Sequence, residues 1–439
     1  MTAPLADPNT ERRRSRLPAI VSRHGTGRGS GVVAAAPEAP TTEAPTTEAP
    51  LGRVAAVDIV RGLAMVLMVL DHTRDFAHRE AFLFDPTDLE QTDPATFLTR
   101  WITHFVAPVF VLLAGTSARL QVAGGRTRGE IARFLLVRGL WLILLELTVV
   151  RVGIWFNVDP AFLGMLQVIW VLGVSMLVLS ALVFLSDILI AALGLVVVLG
   201  HNLLDRVDVP ADLQLAWSIL HQRENVAVFS DTGPDLFVLY PLLPWIGVMA
   251  LGYVLGRVYA WRAPRRRRVL LGLGVATTLA WVAIRAINDY GDPRPWQTYP
   301  DTLITILSFL NAEKYPPSLD FLAMTLGPAL VLLALLDRVG SAGAPARWLA
   351  VLGGVPLFFY LLQWYVAHGL SVVAEAVAGQ DVAWHFMTPP ERFFDIPPDA
   401  GFPLPVVYLL WLTALAILYP LSRWYRGIRA YRGGIFRYL

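Results

Sequence analysis

The chain has no cysteine in 439 residues. A thiolate nucleophile, a cysteine-ligated metal and a disulfide are therefore excluded. Lysine is almost missing: Lys314 is the one lysine, and the remaining basic charge is arginine. Charge is sparse, with Asp, Glu, Lys and Arg making up 16% of the chain. There is no Walker loop, no Gly-x-Gly-x-x-Gly turn opening a helix after a strand, no His-Glu-x-x-His pair and no Gly-x-Ser-x-Gly elbow. The histidines lack metal-ligand spacing. P-loop nucleotide chemistry, zinc hydrolysis and serine hydrolysis thus lose their usual signatures, and no metal or nucleic acid is expected as a partner.

Hydrophobic residues are abundant instead. They form 55% of the chain, and the mean hydropathy is +0.54. A soluble protein of this size needs more polar surface. The apolar runs are continuous, unlike the short alternating strands of a barrel. Runs long enough for a membrane span, about 20 residues, lie at 55–76, 97–118, 131–150, 161–182, 187–204, 235–257, 268–288, 317–337, 349–372 and 403–422. The expected fold is an all-α polytopic integral membrane bundle of about ten transmembrane helices. Segment 301–312 is apolar but short, and reads as an interfacial helix.

Residues 1–52 are different material. Arg12, Arg13, Arg14, Arg16, Arg23 and Arg28 precede a Pro-Thr-Thr-Glu-Ala repeat ending at Pro50. This tail has no apolar period and is expected to be disordered, and it lacks the apolar middle of a signal peptide. The domain division is therefore a tail at 1–52 and a transmembrane domain at 53–439.

Loop charge sets an expected orientation. Segments 119–133 and 257–268 and the C-terminal tail are rich in arginine. Loops 77–96, 205–234 and 373–402 are acidic. Basic loops stay cytoplasmic. Both termini are expected in the cytoplasm, with the protein in a bacterial cytoplasmic (inner) membrane.

Polar groups inside the spans are costly and point to use. Asp58 and Arg61 sit one turn apart at the inner end of the first span. Asp71, His72, Arg74 and Asp75 crowd its outer end. A histidine near neutral pKa takes a proton from an attacking hydroxyl or amine. Asp75 follows His72 by three residues, so on a helix they share a face. The alternative is an interfacial cap whose polar groups only meet headgroups. His104 lies in the second span, with Pro108 freeing its carbonyl; a histidine bonded to a neighbouring helix explains it as well. Glu146, His201, Asn202, Gln363 and His368 share the outer depth. Ala114-Gly115-Thr116-Ser117 suits a close helix contact. Most inner arginines set topology, but Arg61 and Arg138 lie nearest the membrane interior and suit phosphate groups.

Several segments carry a family resemblance: Asp58-Ile-Val-Arg61-Gly62, Asp71-His72-Thr-Arg-Asp-Phe, Thr99-Arg-Trp-Ile-Thr-His104-Phe-Val-Ala-Pro-Val-Phe-Val-Leu-Leu-Ala-Gly115, Tyr240-Pro-Leu-Leu-Pro-Trp245, Glu313-Lys314-Tyr-Pro-Pro317-Ser318 and Pro356-Leu-Phe-Phe-Tyr360. Together they resemble the bacterial DUF1624 family, which is related to the catalytic domain of heparan-alpha-glucosaminide N-acetyltransferase and to the YeiB-like transmembrane acyltransferases. The resemblance covers about 53–439. It implies an acyl-CoA-dependent transmembrane acyltransferase that takes an acetyl or other acyl group from cytoplasmic acyl-CoA, as cosubstrate, to a sugar or glycan across the membrane. It also implies a histidine catalyst on the far side. The related lysosomal enzyme has an asparagine at the position of His72 and its catalytic histidine in the following loop, nearer His78.

The resulting assignment puts His72, His104 and Asp75 at the chemistry, with His78 as a third histidine. Asp71, Arg74, Glu146, Lys314 and His368 are expected to bind substrate, and Arg61 and Arg138 the cosubstrate. Membrane lipid is the surrounding partner, and homo-oligomer formation stays open. A multi-pass transporter or lipid-carrier handling protein is the competing reading, and a sensor or scaffold without chemistry is the third.

Overall fold

The computed structural model describes residues 54–431 apart from 82, 223, 228–234, 340–342 and 388–395. The tail expected at 1–52 lies outside the described residues.

The helices are α1 (Ala55–Ala77), α2 (Pro94–Thr103), α3 (Val106–Ala123), α4 (Arg128–Leu145), α5 (Arg151–Trp155), α6 (Val168–Leu182), α7 (Asp187–Gly200), α8 (Gln214–Leu220), α9 (Leu243–Leu255), α10 (Ala263–Ile287), α11 (Thr302–Leu310), α12 (Leu319–Val339), α13 (Ala344–Leu352), α14 (Pro356–Ala378) and α15 (Leu404–Tyr431). Three short strands, β1 (Phe162–Leu166), β2 (Glu224–Ala227) and β3 (Asp235–Val238), form one sheet in the order β1-β3-β2. The protein is an all-α polytopic membrane protein. Among the described residues, seven helical stretches are long and apolar enough to cross a membrane. Of the ten expected spans, those carried by α1, α4 and α6 fall outside that set: α1 and α4 carry several charges, and α6 has only 15 residues.

Local chemistry sets the boundaries. Asp93 accepts the Ala95 and Thr96 amides and, with Pro94, starts α2. Thr127 and Glu130 form a reciprocal capping box at α4. Ser186 caps α7, which places the break between the fourth and fifth expected spans where Ser186-Asp187 predicts it. The expected interfacial helix at 301–312 is α11.

Two boundaries differ from expectation. The expected fourth and sixth spans, 161–182 and 235–257, begin as strands β1 and β3, which pair in parallel. A short apolar run does not distinguish strand from helix by period alone, and here Gln167 and Pro241 separate the strand from the helix that follows. The expected second span is broken into α2 and α3 at His104-Phe105. Pro108 cannot donate to the His104 carbonyl, so the helix is weakened there.

Close helix contacts are made through glycine. A Cβ on Gly252 of α9 would sit 2.2 Å from the Leu112 carbonyl oxygen of α3, and one on Gly115 of α3 would sit 2.2 Å from that of Met249. Thr116 donates to the Gly252 carbonyl at 3.0 Å across the same seam. The small-residue stretch 114–117 is therefore a packing surface, as its composition suggests. Helix α1 is central: α2, α3, α12, α13, α14 and α15 all pack on it. Asp58, Asp71, Thr73 and Arg74 are buried, and Arg61, His72 and Asp75 are partly exposed.

Candidate active site

The site is built around the last turns of α1. Asp71 is its hub. Arg100 of α2 holds both Asp71 oxygens, at 2.8 and 2.6 Å. Thr103 donates to Asp71 Oδ1 at 2.9 Å, and Arg74 reaches it at 3.2 Å. Arg74 also pairs with Asp75 at 2.5 Å. Lys314 Nζ lies 4.0 Å from Asp71 Oδ2. Buried charges are tolerable when paired, and Asp71, Arg74 and Arg100 all are, although Arg74 Nε and Nη1 have no hydrogen-bond partner.

His72 points to a different face. Its Nδ1 lies 2.8 Å from Gln363 Oε1 on α14. Its ring stacks on Trp364, with centres 3.7 Å apart and an 18° tilt. With the Gln363 amide oxygen facing it, Nδ1 is the donor and Nε2 keeps its lone pair, while Gln363 Nε2 is buried with no hydrogen-bond partner. Gln363, rather than Asp75, is the group that orients this ring. Met68, Asp71, His72, Thr103, Val106, Ala107, Gln167, Val168, Tyr240 and Lys314 enclose a small cavity of about 30 Å³.

A second cavity, about 830 Å³, lies between α1, α3, α4, α6, α14 and α15. Its size falls in the range of cosubstrate sites. Arg61, Arg138, Arg426 and Arg429 are among its lining residues. Arg61 bonds Asp58 at 3.1 Å, the Gly353 carbonyl at 3.0 Å and Ser117 at 2.8 Å. Arg138 lies in the field of both Arg61 and Arg429. The rest of the wall is mainly apolar and aromatic and includes Leu142, Ile169, Leu357 and Tyr360. Val168, at the first turn of α6, lines both the large cavity and the His72 pocket.

The remaining expected residues are placed elsewhere. His104 is buried at the α2–α3 break, where its ring packs 5.2 Å from Phe321 of α12. It does not line the His72 pocket. Glu146 starts a π-helical turn after α4, and its Oε2 accepts the Trp170 amide at 2.9 Å. It therefore caps the first turn of α6 rather than facing the His72 pocket. His368 stacks between Phe76 and Phe156. Its Nε2 meets His385 Nδ1 at 3.1 Å, and His385 Nε2 meets Glu375 at 2.9 Å. That chain is fully buried. His78 follows α1, and burial pushes its pKa down to about 4, with Arg74 acting in the same direction.

The model of the family described as heparan-alpha-glucosaminide N-acetyltransferase, catalytic, matches residues 53–286, more than half of the chain. The chain belongs to that family. Among curated proteins, none matches it. A membrane N-acetyltransferase-like function follows from the family at this coarse level.

The heparan-alpha-glucosaminide N-acetyltransferase match takes in α1 to α9 and nearly all of α10, and with them Arg61, Asp71, His72, Arg100, His104, Arg138, Glu146 and Val168. Lys314, Gln363, Trp364, Arg426 and Arg429 lie beyond it. Both cavities thus close only when the last third of the chain packs on the matched segment. Sequence reasoning missed Thr103, Gln167 and Tyr240 as pocket residues, Arg100 as the partner of Asp71 and Trp364 as the ring stacked on His72. Arg100 had a signal: it stands four residues before His104 at the start of an apolar run. Trp364 had none, since tryptophan in a span is ordinary.

Proposed function

We propose that this protein moves an acetyl group from acetyl-CoA to a sugar or glycan acceptor. Acetyl-CoA enters the large cavity from its arginine end. Arg61, Arg138, Arg426 and Arg429 meet the phosphates, and the pantetheine arm follows the apolar wall toward Val168. Basic loops favour the cytoplasm, so this end faces the cytoplasm in a bacterial inner membrane, with both termini on that side. The acceptor arrives from the other side, at His72.

His72 acts as general base. Its Nε2 takes the proton of the attacking amine or hydroxyl, and Gln363 keeps Nδ1 protonated. The thioester carbon then gains the new N–C or O–C bond and loses the C–S bond. The proton on His72 passes to the leaving thiolate, giving free CoA. Asp71, Arg74 and Arg100 hold the pocket's shape. His104 and Glu146 contribute through the helix break and the α6 cap on which they sit.

The observation that carries this reading is the juxtaposition at Val168: this residue lines both an arginine-bearing cavity of cosubstrate size and the pocket of a half-buried imidazole bonded to Gln363. The test is acetyl-CoA binding and CoA release by the purified protein, with glucosamine as acceptor probe. Binding with acceptor-dependent CoA release supports acyl transfer. A folded protein that does not bind acetyl-CoA rejects it, and the transporter reading takes its place.

A further inference from the structure

Lys314 is the single lysine in a chain whose other cations are arginine. It is buried, and it lines the same small pocket as His72. Arg74 pairs with Asp71 and Asp75, and Arg100 pairs with Asp71, so two guanidiniums balance two carboxylates. Lys314 is the third cation of this group. Both Asp71 oxygens are already engaged by Arg100 at 2.6–2.8 Å, whereas Lys314 stands off at 4.0 Å. The group therefore carries one positive charge in excess, and of its three cations the Lys314 ammonium is the one that lines the pocket.

The surroundings hold the turn that carries Lys314, and its ammonium lies 5.1 Å from the centre of the Tyr315 ring. Lys314 bridges to Pro317 across a tight turn. Ser318 donates to Asp292 at 2.7 Å, and the Pro317 carbonyl meets His201 Nε2 at 2.8 Å. The Leu319 amide donates to Asn202 at 2.9 Å. Arg285 gathers the carbonyls of Ser308, Phe309 and Asn311 just before the turn. A cation fixed before reaction costs no reorganisation when negative charge develops beside it.

We propose that Lys314 is a catalytic residue that receives the negative charge formed on the thioester carbonyl oxygen. This rests on the acyl-transfer reading above. As the acceptor bonds to the carbonyl carbon, the C=O electron pair moves onto oxygen, facing the Lys314 ammonium. When the tetrahedral adduct collapses, that pair re-forms the carbonyl and the C–S pair leaves with sulfur. Lys314 keeps its proton throughout, and His72 carries the proton that moves. An arginine in this place would be broader and would tie itself to Asp71 in a fork, whereas the point cation reaches Asp71 only at 4.0 Å.

The test uses the full chain in lipid nanodiscs, with acetyl-CoA, glucosamine as acceptor probe, and an acetyl-CoA analogue whose thioester sulfur is replaced by methylene. Lys314→Met is expected to lower kcat about 10²–10³-fold, the loss typical of one oxyanion donor, with analogue binding kept. Lys314→Arg restores part of kcat. Native turnover in Lys314→Met overturns the proposal, and so does a loss of analogue binding parallel to the loss of turnover. If Lys314→Met does not fold, the carbonyl stretch of [1-13C]acetyl-CoA bound to His72→Ala decides. A shift to lower frequency than in solution is expected, and an unshifted band overturns the role. If the native chain fails to bind acetyl-CoA, the acyl-transfer reading falls first and takes this proposal with it.

Discussion

Gln363 Oε1 lies 2.8 Å from His72 Nδ1, across the contact between α1 and α14. The bond fixes which imidazole nitrogen is a base and joins residues 291 positions apart in the chain. Gln363→Leu is expected to lower kcat about tenfold, the worth of one buried hydrogen bond. His72→Ala is expected to lower it about 10²–10⁴-fold. KM for acetyl-CoA should stay near native in both. Steady-state kinetics with acetyl-CoA varied checks this; equal kcat in native and His72→Ala protein contradicts the base assignment.

The arginine end of the large cavity makes a separate prediction. Arg138→Gln combined with Arg429→Gln should raise KM for acetyl-CoA by about 10–100-fold, as expected for losing charge-assisted contacts, with little change in kcat. The same variant should narrow the difference in KM between acetyl-CoA and its 3′-dephospho form. An unchanged KM for both donors places the phosphates elsewhere.

The seam between α3 and α9 should fail by overpacking. A methyl group on Gly252 meets the Leu112 carbonyl at 2.2 Å, so the helices must separate. Gly252→Ala is expected to destabilise the protein by about 1–3 kcal/mol. Gly272→Ala serves as control, since a Cβ there meets nothing within 4 Å. Thermal unfolding in detergent should show a lower midpoint for the first substitution and no drop for the second.

His78 sets a pH dependence. In the folded chain its pKa is lowered to about 4 by burial and then by Arg74, against about 6.5 when unfolded. The unfolded state therefore binds more protons between those values. The contribution of His78 is intact above about pH 6.5 and is lost as pH falls toward 4. His78→Gln should flatten acid destabilisation in that window. It should leave the neutral-pH rate nearly unchanged, because a group so hard to protonate is a poor base near pH 7. A large loss of kcat at pH 7 would move the catalytic role from His72 to His78.

Much of this architecture is legible in the sequence because a membrane imposes a length on every helix. Seven of the expected spans among the described residues, the Ser186 break and the short helix α11 follow from apolar run length and capping residues. The strands β1 and β3 do not, since Phe162–Leu166 is as apolar as the helix after it. The string Asp71-His72-Thr73-Arg74-Asp75 announces a site, because charge at the end of an apolar run is costly. Its partners are not announced. Helix periodicity puts Asp75 on the His72 face, yet Arg74 takes Asp75 and a glutamine from α14 takes the imidazole. Co-depth grouped Glu146 and His368 with His72. The folded chain uses one as a helix cap and the other in a separate buried chain with His385 and Glu375. Depth along a membrane is readable from sequence, whereas the order of helices around the bundle is set by packing that no single helix encodes.

The absence of cysteine allows the most direct measurement. A single cysteine installed as Val168→Cys lines both the large cavity and the His72 pocket, at the place proposed for the thiol end of CoA. The purified variant would be treated with CoA disulfide, and with glutathione disulfide as control, and the adduct followed by intact mass. Thiol–disulfide exchange depends on which disulfide can present its sulfur at that position. The account predicts one CoA adduct per chain, formed faster than the glutathione adduct and suppressed by excess acetyl-CoA. Labelling that shows no preference for CoA, or that acetyl-CoA does not suppress, would contradict it.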